Sequence, residues 1–521
     1  MEKPGLAVAT TLCGALAGWF AAREPWFGPL LWIVFLVACL ALLPAQRRLL
    51  DSRWLAAGVV LLGSSWLAAA DHELALRHSL LFVAAAMLFG MARLAVPGDR
   101  ALALLALGLA LTATVAFGQT WDGLAVAQAG VGALPSGWQE AAAARLRGGR
   151  VFGTSALPGH YAALLMLVVP VLAERAWRSH RWPRAGYIAA LTAVAAAVAL
   201  TRSVAAIAVG CVLLVPVLVQ SRRNRLAWAG AAILVIAGAV VLASRADMGR
   251  LEPIQLRWVN WRSAAWVFAH HPWLGVGIGG VGQAALASPT GASNITPYAH
   301  NTPLQLLAEF GVVGVVPIAA CVVALVQLLG RGWPSHKGLT LAVASLPLHN
   351  LVDFSAYAPE VLLPWAVLAG TLAGRVSRPP EKPLRSWALV GILGIGTLLS
   401  ALSWRSEAAL AAAETPGSAA AVEAAMAAAR WAPWTVVPLE IAAGQALKGG
   451  RPAAELQRID DALVDRAWVQ PLSATWSETR GRLLLADRRP GDAVVWFREA
   501  RRRAPWRDDL TALEAACAPQ R

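Results

Sequence analysis

The chain has 521 residues, 58% of them hydrophobic and 14% charged, with a formal net charge of +15 and a mean hydropathy of +0.56. Soluble domains carry roughly 25% charged residues, so the composition excludes an ordinary soluble protein and points to an integral membrane protein. The basic excess is no sign of nucleic acid, because many of the basic residues sit in short connections between apolar runs, where the positive-inside rule accounts for them.

A hydrocarbon core takes about 20 apolar helical residues. Runs of that kind lie at 5–22, 27–43, 54–70, 79–96, 101–117, 156–173, 186–200, 204–220, 227–243, 303–329, 339–356, 360–374 and 387–403. They predict an all-α bundle of about 12–13 transmembrane helices over residues 1–403. The first run follows Glu2 and Lys3 without a convincing small-residue cleavage site, so it is expected to remain as a span. Cys13, Cys39, Cys211, Cys321 and Cys517 are scattered, with no disulfide framework and no metal-ligand spacing.

Charge orients the bundle. Six successive loops on one side hold most of the basic residues, for example Arg175, Arg178, Arg181 and Arg184, or Arg375, Arg378, Lys382 and Arg385. The opposite short connections contain little beyond Arg23, Arg77 and Arg202. This asymmetry predicts a cytoplasmic N-terminus. It puts 118–150, the loop 244–302 and everything after about 404 on the outer face, which in a Gram-negative cell is the periplasm.

Within 251–314 the apolar runs stop, and arginines, histidines and amides gather. Thr302-Pro303-Leu304-Gln305 reads as a helix start, with Thr302 as N-cap, Pro303 at the first helical position and Gln305 completing a capping box. His300 and Asn301 then precede a helix N-terminus, whose free N–H groups suit an anion. The plainer reading is that both only satisfy loop backbone. Arg257 and Arg262 share one helix, Arg202 occupies a tight outer turn, and Glu309 lies one helical turn beyond Gln305. A charge at such a membrane-depth turn is a functional candidate by default, with snorkelling to the interface as the alternative. His349, Asn350 and Asp353 form a second polar cluster near the outer end of a span, while His270 and His271 read as loop packing.

Residues 404–521 have more charge and no long apolar run. Alanines recur at helical spacing, and Pro433, Pro471 and Pro505 follow one another at 38 and 34 residues. That spacing suggests a soluble tetratricopeptide-like helical domain; an irregular helical tail is the competing reading.

Arg257-x3-Trp261, His271-Pro272-x2-Gly275-x-Gly277, His300-Asn301-x2-Leu304 and Glu309-Phe310-Gly311-x2-Gly314, in that order, resemble the O-antigen ligase and polymerase superfamily. Gly149 to Thr154 followed by Pro158-Gly159-His160 resembles the entry into its central spans, so the likeness covers about 150–375. It implies a GT-C-like, inverting, metal-independent glycosyltransferase without cofactor, which moves a glycan from an undecaprenyl-diphosphate carrier to an acceptor hydroxyl. The acceptor is lipid A–core, a growing glycan or a protein. On this reading His300 is the base, Arg257 and Arg202 are the cations for the diphosphate, and Arg262, Asn301, Glu309, His349 and Asp353 bind substrate. Membrane lipids surround the bundle, the tail offers a surface for a protein partner, and nucleic acid plays no part. His349-Asn350-x2-Asp353-Phe354 partly resembles the protein O-oligosaccharyltransferase branch, with Asn350 and Ser355 where that motif has Ser and Pro. A polytopic transporter is the alternative from another class. Repeats of spans and mid-depth acid–base residues would mark it, whereas the ionisable residues here cluster at one face.

Overall fold

The computed structural model describes residues 52–131, 143, 146–220, 252–290, 296–377, 386–411 and 417–517. The expected spans at 5–22, 27–43 and 227–243 lie outside the described residues. Among those described, every regular element is a helix. The membrane part comprises α1 (Ser52–Leu67), α2 (His72–Ala95), α3 (Asp99–Ala110), α4 (Ala113–Trp121), α5 (Pro158–Arg178), α6 (Arg181–Thr201) and α7 (Val204–Gln220). It continues with α8 (Glu252–His270), α9 (Thr302–Gly332), α10 (Lys337–His349), α11 (Pro359–Val376) and α12 (Ser386–Ala411). Among the described residues, five stretches are long and apolar enough to cross a membrane: α2, Asp99–Trp121, α5, α6 and α9. The chain is a polytopic helical membrane bundle followed by a helical tail.

The core lies between α2, α3, α5, α10 and α11, with Leu88, Tyr161, Leu165, Leu172, Leu363 and Leu372 fully buried. Small residues let α2 and α11 touch backbone to backbone, as in many membrane helix pairs. A Cβ on Gly370 would lie 2.2 Å from the Phe89 carbonyl oxygen, and one on Gly374 2.3 Å from that of Arg93.

The bundle has two chemically different ends. At one, Asp99 pairs with Arg175 at 2.8 Å and Arg375 at 2.9 Å, and Arg375 also donates to the Pro97 carbonyl at 2.8 Å. This ties the start of α3 to the ends of α5 and α11. The opposite ends of α5 and α11 carry Gly159, His160 and Glu360, close to the start of α9 and the end of α10.

Two expectations about element limits change. The span expected at 339–356 ends as a helix at His349, and a turn with a short 3-10 segment, Ser355–Tyr357, follows. The cap of α9 is Asn301, whose side chain accepts from Leu304 N at 3.0 Å. Thr302 is therefore the first helical residue. Its hydroxyl donates to Asn350 Oδ1 at 3.0 Å and to the Asp353 carbonyl at 3.1 Å.

Helix α9 is not continuous. Gly311 sits at φ 59°, ψ −161°, a region essentially reserved for glycine. The helical bonds that would join 308 to 312 and 309 to 313 are replaced by bonds to the loop after α8. Val276 N and Gly277 N donate to the carbonyls of Ala308 and Glu309, each at 3.0 Å. Val312 N and Val313 N donate to those of Pro272 and Trp273, at 2.7 and 3.2 Å. A broken helix at membrane depth is tolerable only when its freed polar groups are satisfied in this way. The same loop is anchored to α1 and the break after it: Ala70 N donates to the Val276 carbonyl at 2.8 Å, and Ile278 N to Ser65 Oγ at 2.6 Å.

The tail forms α13 (Ala419–Trp431), α14 (Val437–Lys448), α15 (Ala453–Val464), α16 (Ala474–Ala486), α17 (Pro490–Arg503) and α18 (Asp508–Ala516). Alanine-rich faces bury Ala425, Ala442, Ala443 and Ala446. It docks on the membrane part: His72 N donates to the Val469 carbonyl at 2.8 Å, Gln470 Nε2 to Asp71 Oδ2 at 3.1 Å, and Trp506 Nε1 to the Leu286 carbonyl at 3.0 Å.

Candidate functional site

Five segments meet at the end of the bundle away from the Asp99 clamp. Helix α8 contributes Arg257 and Trp261, one turn apart and so on one face. The loop before α9 contributes Tyr298 and His300, the turn after α10 contributes His349 and Asp353, and the starts of α5 and α11 contribute His160 and Glu360.

Asp353 is the hub. It is 3% exposed, and its Oδ1 accepts from Phe354 N at 2.8 Å. Around the carboxylate stand His300 Nδ1 at 3.6 Å, Arg257 at 3.9 Å and His349 Nδ1 at 3.9 Å. The His300 distance is too long for a strict hydrogen bond and short enough for an ion pair. Burial by itself raises the pKa of such a carboxyl, but the facing imidazoles of His300, His349 and His160 outweigh it. The group is held well below the usual carboxylate range.

His300 is the accessible imidazole of the cluster, with its side chain 25% exposed; that of Arg257 is 26% exposed. The His300 backbone is left-handed, with φ 54°, an uncommon conformation for a non-glycine residue. It is held there by Trp261 Nε1, which donates to the His300 carbonyl at 3.2 Å, and by the stitching of the next residues to the α10 turn. Asn301 Nδ2 donates to the Leu351 carbonyl and Thr302 N to that of Asn350, both at 2.8 Å. Both ends of the Asn301 amide are thus engaged, Nδ2 with the turn after α10 and Oδ1 with the cap of α9.

The remaining predicted residues fall differently. Glu309 is fully buried and braces the loop, accepting from Gly279 N at 2.8 Å, Gln305 Nε2 at 2.7 Å and Tyr357 OH at 2.5 Å. His349 is also fully buried, with Nδ1 3.2 Å from Ser355 Oγ. The burial of Glu309, His349 and Asp353 favours supporting roles over the substrate contact expected of them. Arg262 is on the exposed side of α8. Arg202 closes α6 in a left-handed conformation at φ 49°, beside Arg150, whose Nε donates to the Thr201 carbonyl at 2.9 Å. Because α5 and α6 are joined by two residues and pack along their lengths, Arg202 shares the bundle end that carries Gly159. His270 stacks on Trp266 at 3.9 Å, in keeping with loop packing.

Sequence reasoning did not name Glu360, whose Oε1 lies 3.6 Å from His160 Nδ1. It quoted His160 and Phe354 only within motifs and gave neither a role, although Phe354 is the ring on which His160, Tyr298 and His300 converge. The available signal was positional: both His160 and Glu360 fall in the first turn of an apolar helix that opens with proline, at one end of the bundle.

The fold and this cluster define a polytopic membrane protein with a basic and imidazole-rich site at one face. Residues 187–319 match the family model described as O-antigen ligase. The match supports the O-antigen ligase and polymerase superfamily, and the matched stretch contains Arg202, Arg257, Arg262, His300, Asn301 and Glu309. The family supports an O-antigen ligase- or polymerase-like function, with lipid-linked glycan and acceptor substrates in the membrane. No curated protein and no solved structure matches the chain.

Proposed function

We propose that this protein is an inverting glycosyltransferase of the bacterial inner membrane. It moves a glycan from an undecaprenyl-diphosphate carrier to an acceptor hydroxyl at the periplasmic face. The observation that carries the reading is the grouping of Arg257 and His300 about the buried carboxylate of Asp353. In this assignment the acceptor oxygen attacks the anomeric carbon, the carbon–oxygen bond to the diphosphate breaks, and the acceptor proton passes to His300 Nε2. Nδ1 faces Asp353, whose charge balances the imidazolium that forms, the electrostatic part of the logic of a carboxylate behind a catalytic histidine. Arg257 and Arg202 neutralise charge developing on the departing diphosphate, and a guanidinium fork suits that task. The N-terminal amides of α9, expected to be free for an anion, are taken up inside the protein: Thr302 N donates to the Asn350 carbonyl, Leu304 N to Asn301 Oδ1 and Gln305 N to the Asn301 carbonyl.

The outer-face assignment is supported by the opposition of the two ends, since α5, α9 and α11 each run from the site toward Arg175 and Arg178, Arg331 or Arg375. The tail meets the membrane part near the glycine loop, so it belongs on the same side. Its acceptor or partner surface remains part of the proposal.

The test is purified protein with an undecaprenyl-diphosphate-linked glycan in EDTA, offered lipid A–core, glycan and protein acceptors in parallel. One arm should show transfer, and His300→Ala should lose about 10²–10⁴-fold of it, the usual effect of removing a general base. Full activity of His300→Ala, or a strict requirement for a divalent metal, would overturn the mechanism.

A further inference from the structure

We propose that Phe354 is the positioning residue for His300, aiming the imidazole with its ring and the facing carboxylate with its backbone; this rests on the reading of His300 as the base. A histidine is normally oriented by a hydrogen bond at the ring nitrogen away from the chemistry. Here His300 Nδ1 is buried and makes no hydrogen bond among the described residues, and its carboxylate neighbour stands off at 3.6 Å. A Coulombic attraction at that distance sets no ring plane. Something else has to.

The His300 ring stands at 88° to the Phe354 ring with centroids 4.6 Å apart, the edge-to-face arrangement that aromatic quadrupoles favour. Phe354 is itself immobilised. Tyr298 stacks on it at 4.1 Å and 12°, and His160 stands nearly perpendicular to it at 4.7 Å. His160 in turn faces Glu360 at 3.6 Å, and Tyr298 is anchored by its hydroxyl, 3.0 Å from His78 Nε2. The backbone N–H of Phe354 meanwhile donates to Asp353 Oδ1, the same oxygen that faces His300. One residue thus fixes both members of the His300–Asp353 pair relative to each other.

The experiment uses the full-length protein in the transfer assay, with turnover and Michaelis constants measured separately. Phe354→Leu keeps the backbone donor and removes the flat ring. It should lower kcat about 10- to 100-fold, the effect of a misplacement near 1 Å, with KM for donor and acceptor within about two-fold. Phe354→Tyr restores the ring and should restore most of kcat. Tyr298→Leu, which removes the backing without touching His300, should give a smaller loss in the same sense and serves if Phe354→Leu fails to fold. Leu372→Ala, a core truncation at the far end of the bundle, reports what destabilisation alone does and should leave kcat unchanged below its melting temperature. If Phe354→Leu turns over normally while His300→Ala is inactive, the positioning role is wrong and the base assignment stands. If Leu372→Ala lowers kcat as much as Phe354→Leu at equal loss of stability, the positioning role is also wrong. If His300→Ala itself is fully active, the base assignment fails first.

Discussion

A single methyl group on Gly159 offers the most direct probe of the Asp353 hub. Gly159 is the second residue of α5, in ordinary helical conformation, so alanine meets no backbone objection there. The new Cβ would lie 2.6 Å from Asp353 Oδ2, about 0.6 Å inside the closest ordinary contact of a carbon with an oxygen. The carboxylate must yield by that amount, and it cannot yield alone, because Arg257, His300 and His349 are set around it. A displacement of this size among reacting groups corresponds to a loss of about 10- to 100-fold in turnover. Gly186→Ala is the matched control: nothing lies within 4 Å of its Cβ, and in a helix interior alanine is favoured by about 1 kcal/mol. Initial rates of glycan transfer, at equal amounts of folded protein by size-exclusion profile, measure both. Wild-type turnover in Gly159→Ala would mean that the spacing about Asp353 has no bearing on the reaction.

Gly311→Ala should destabilise the protein by at least about 2–4 kcal/mol, combining backbone strain with damage to hydrogen bonds worth about 1 kcal/mol each. The Cβ would also sit 2.4 Å from the Trp273 carbonyl oxygen. Hydrogen exchange at Val276, Gly277, Val312 and Val313 checks this, and unchanged protection there would refute it. Docking of the tail should weaken as pH rises. Burial, with the charges of Glu73, Asp71 and Glu478, pushes the Glu440 carboxyl up to about 7. Burial likewise pushes Asp71 up to about 6. The docked state therefore binds more protons than the undocked one between about pH 4 and 7 and loses stability across that window, by up to about 3 kcal/mol for Glu440. Thermal unfolding at pH 5 and pH 8 reads this out, and Glu440→Gln should flatten the dependence; an equal pH slope in that variant would exclude Glu440 as its source.

Much of the architecture could be read from hydropathy, because helices such as α2, α5 and α6 are continuous apolar runs bounded by charge. His300 and Arg257 were legible because polar residues in an apolar chain need a reason, and Arg257-x3-Trp261 spacing puts both side chains on one helix face. The interruption of α9 was not legible. Residues 303–329 are uniformly apolar, and hydropathy does not register a glycine whose backbone bonds have been transferred to a loop some 35 positions earlier. For the same reason the expected span 339–356 runs seven residues past the end of α10 at His349: Leu351 and Val352 continue the apolar signal past the point where the helix has already ended. The central role of Asp353 was hidden because it depends on neighbours from the start of α5, α8, the loop before α9 and the end of α10 at once, and no local pattern encodes such a convergence. The tetratricopeptide reading of the tail rests on spacing; the helices are present, and their repeat class is carried by that spacing alone.

The transfer of four hydrogen bonds at Gly311 divides α9 into two mechanical bodies. The first two turns, with Asn301 and Thr302, are riveted to the loop, the α10 turn and the site. Beyond the break, Val312, Val316, Val322, Val323 and Val326 are exposed, the surface of a segment that answers to lipid. A bilayer that thickens or thins will tilt that outer segment about a joint whose polar groups are already satisfied from outside the helix. The loop after α8 thus holds α9 on both sides of the break, through Val276 and Gly277 on the site side and Pro272 and Trp273 on the lipid side.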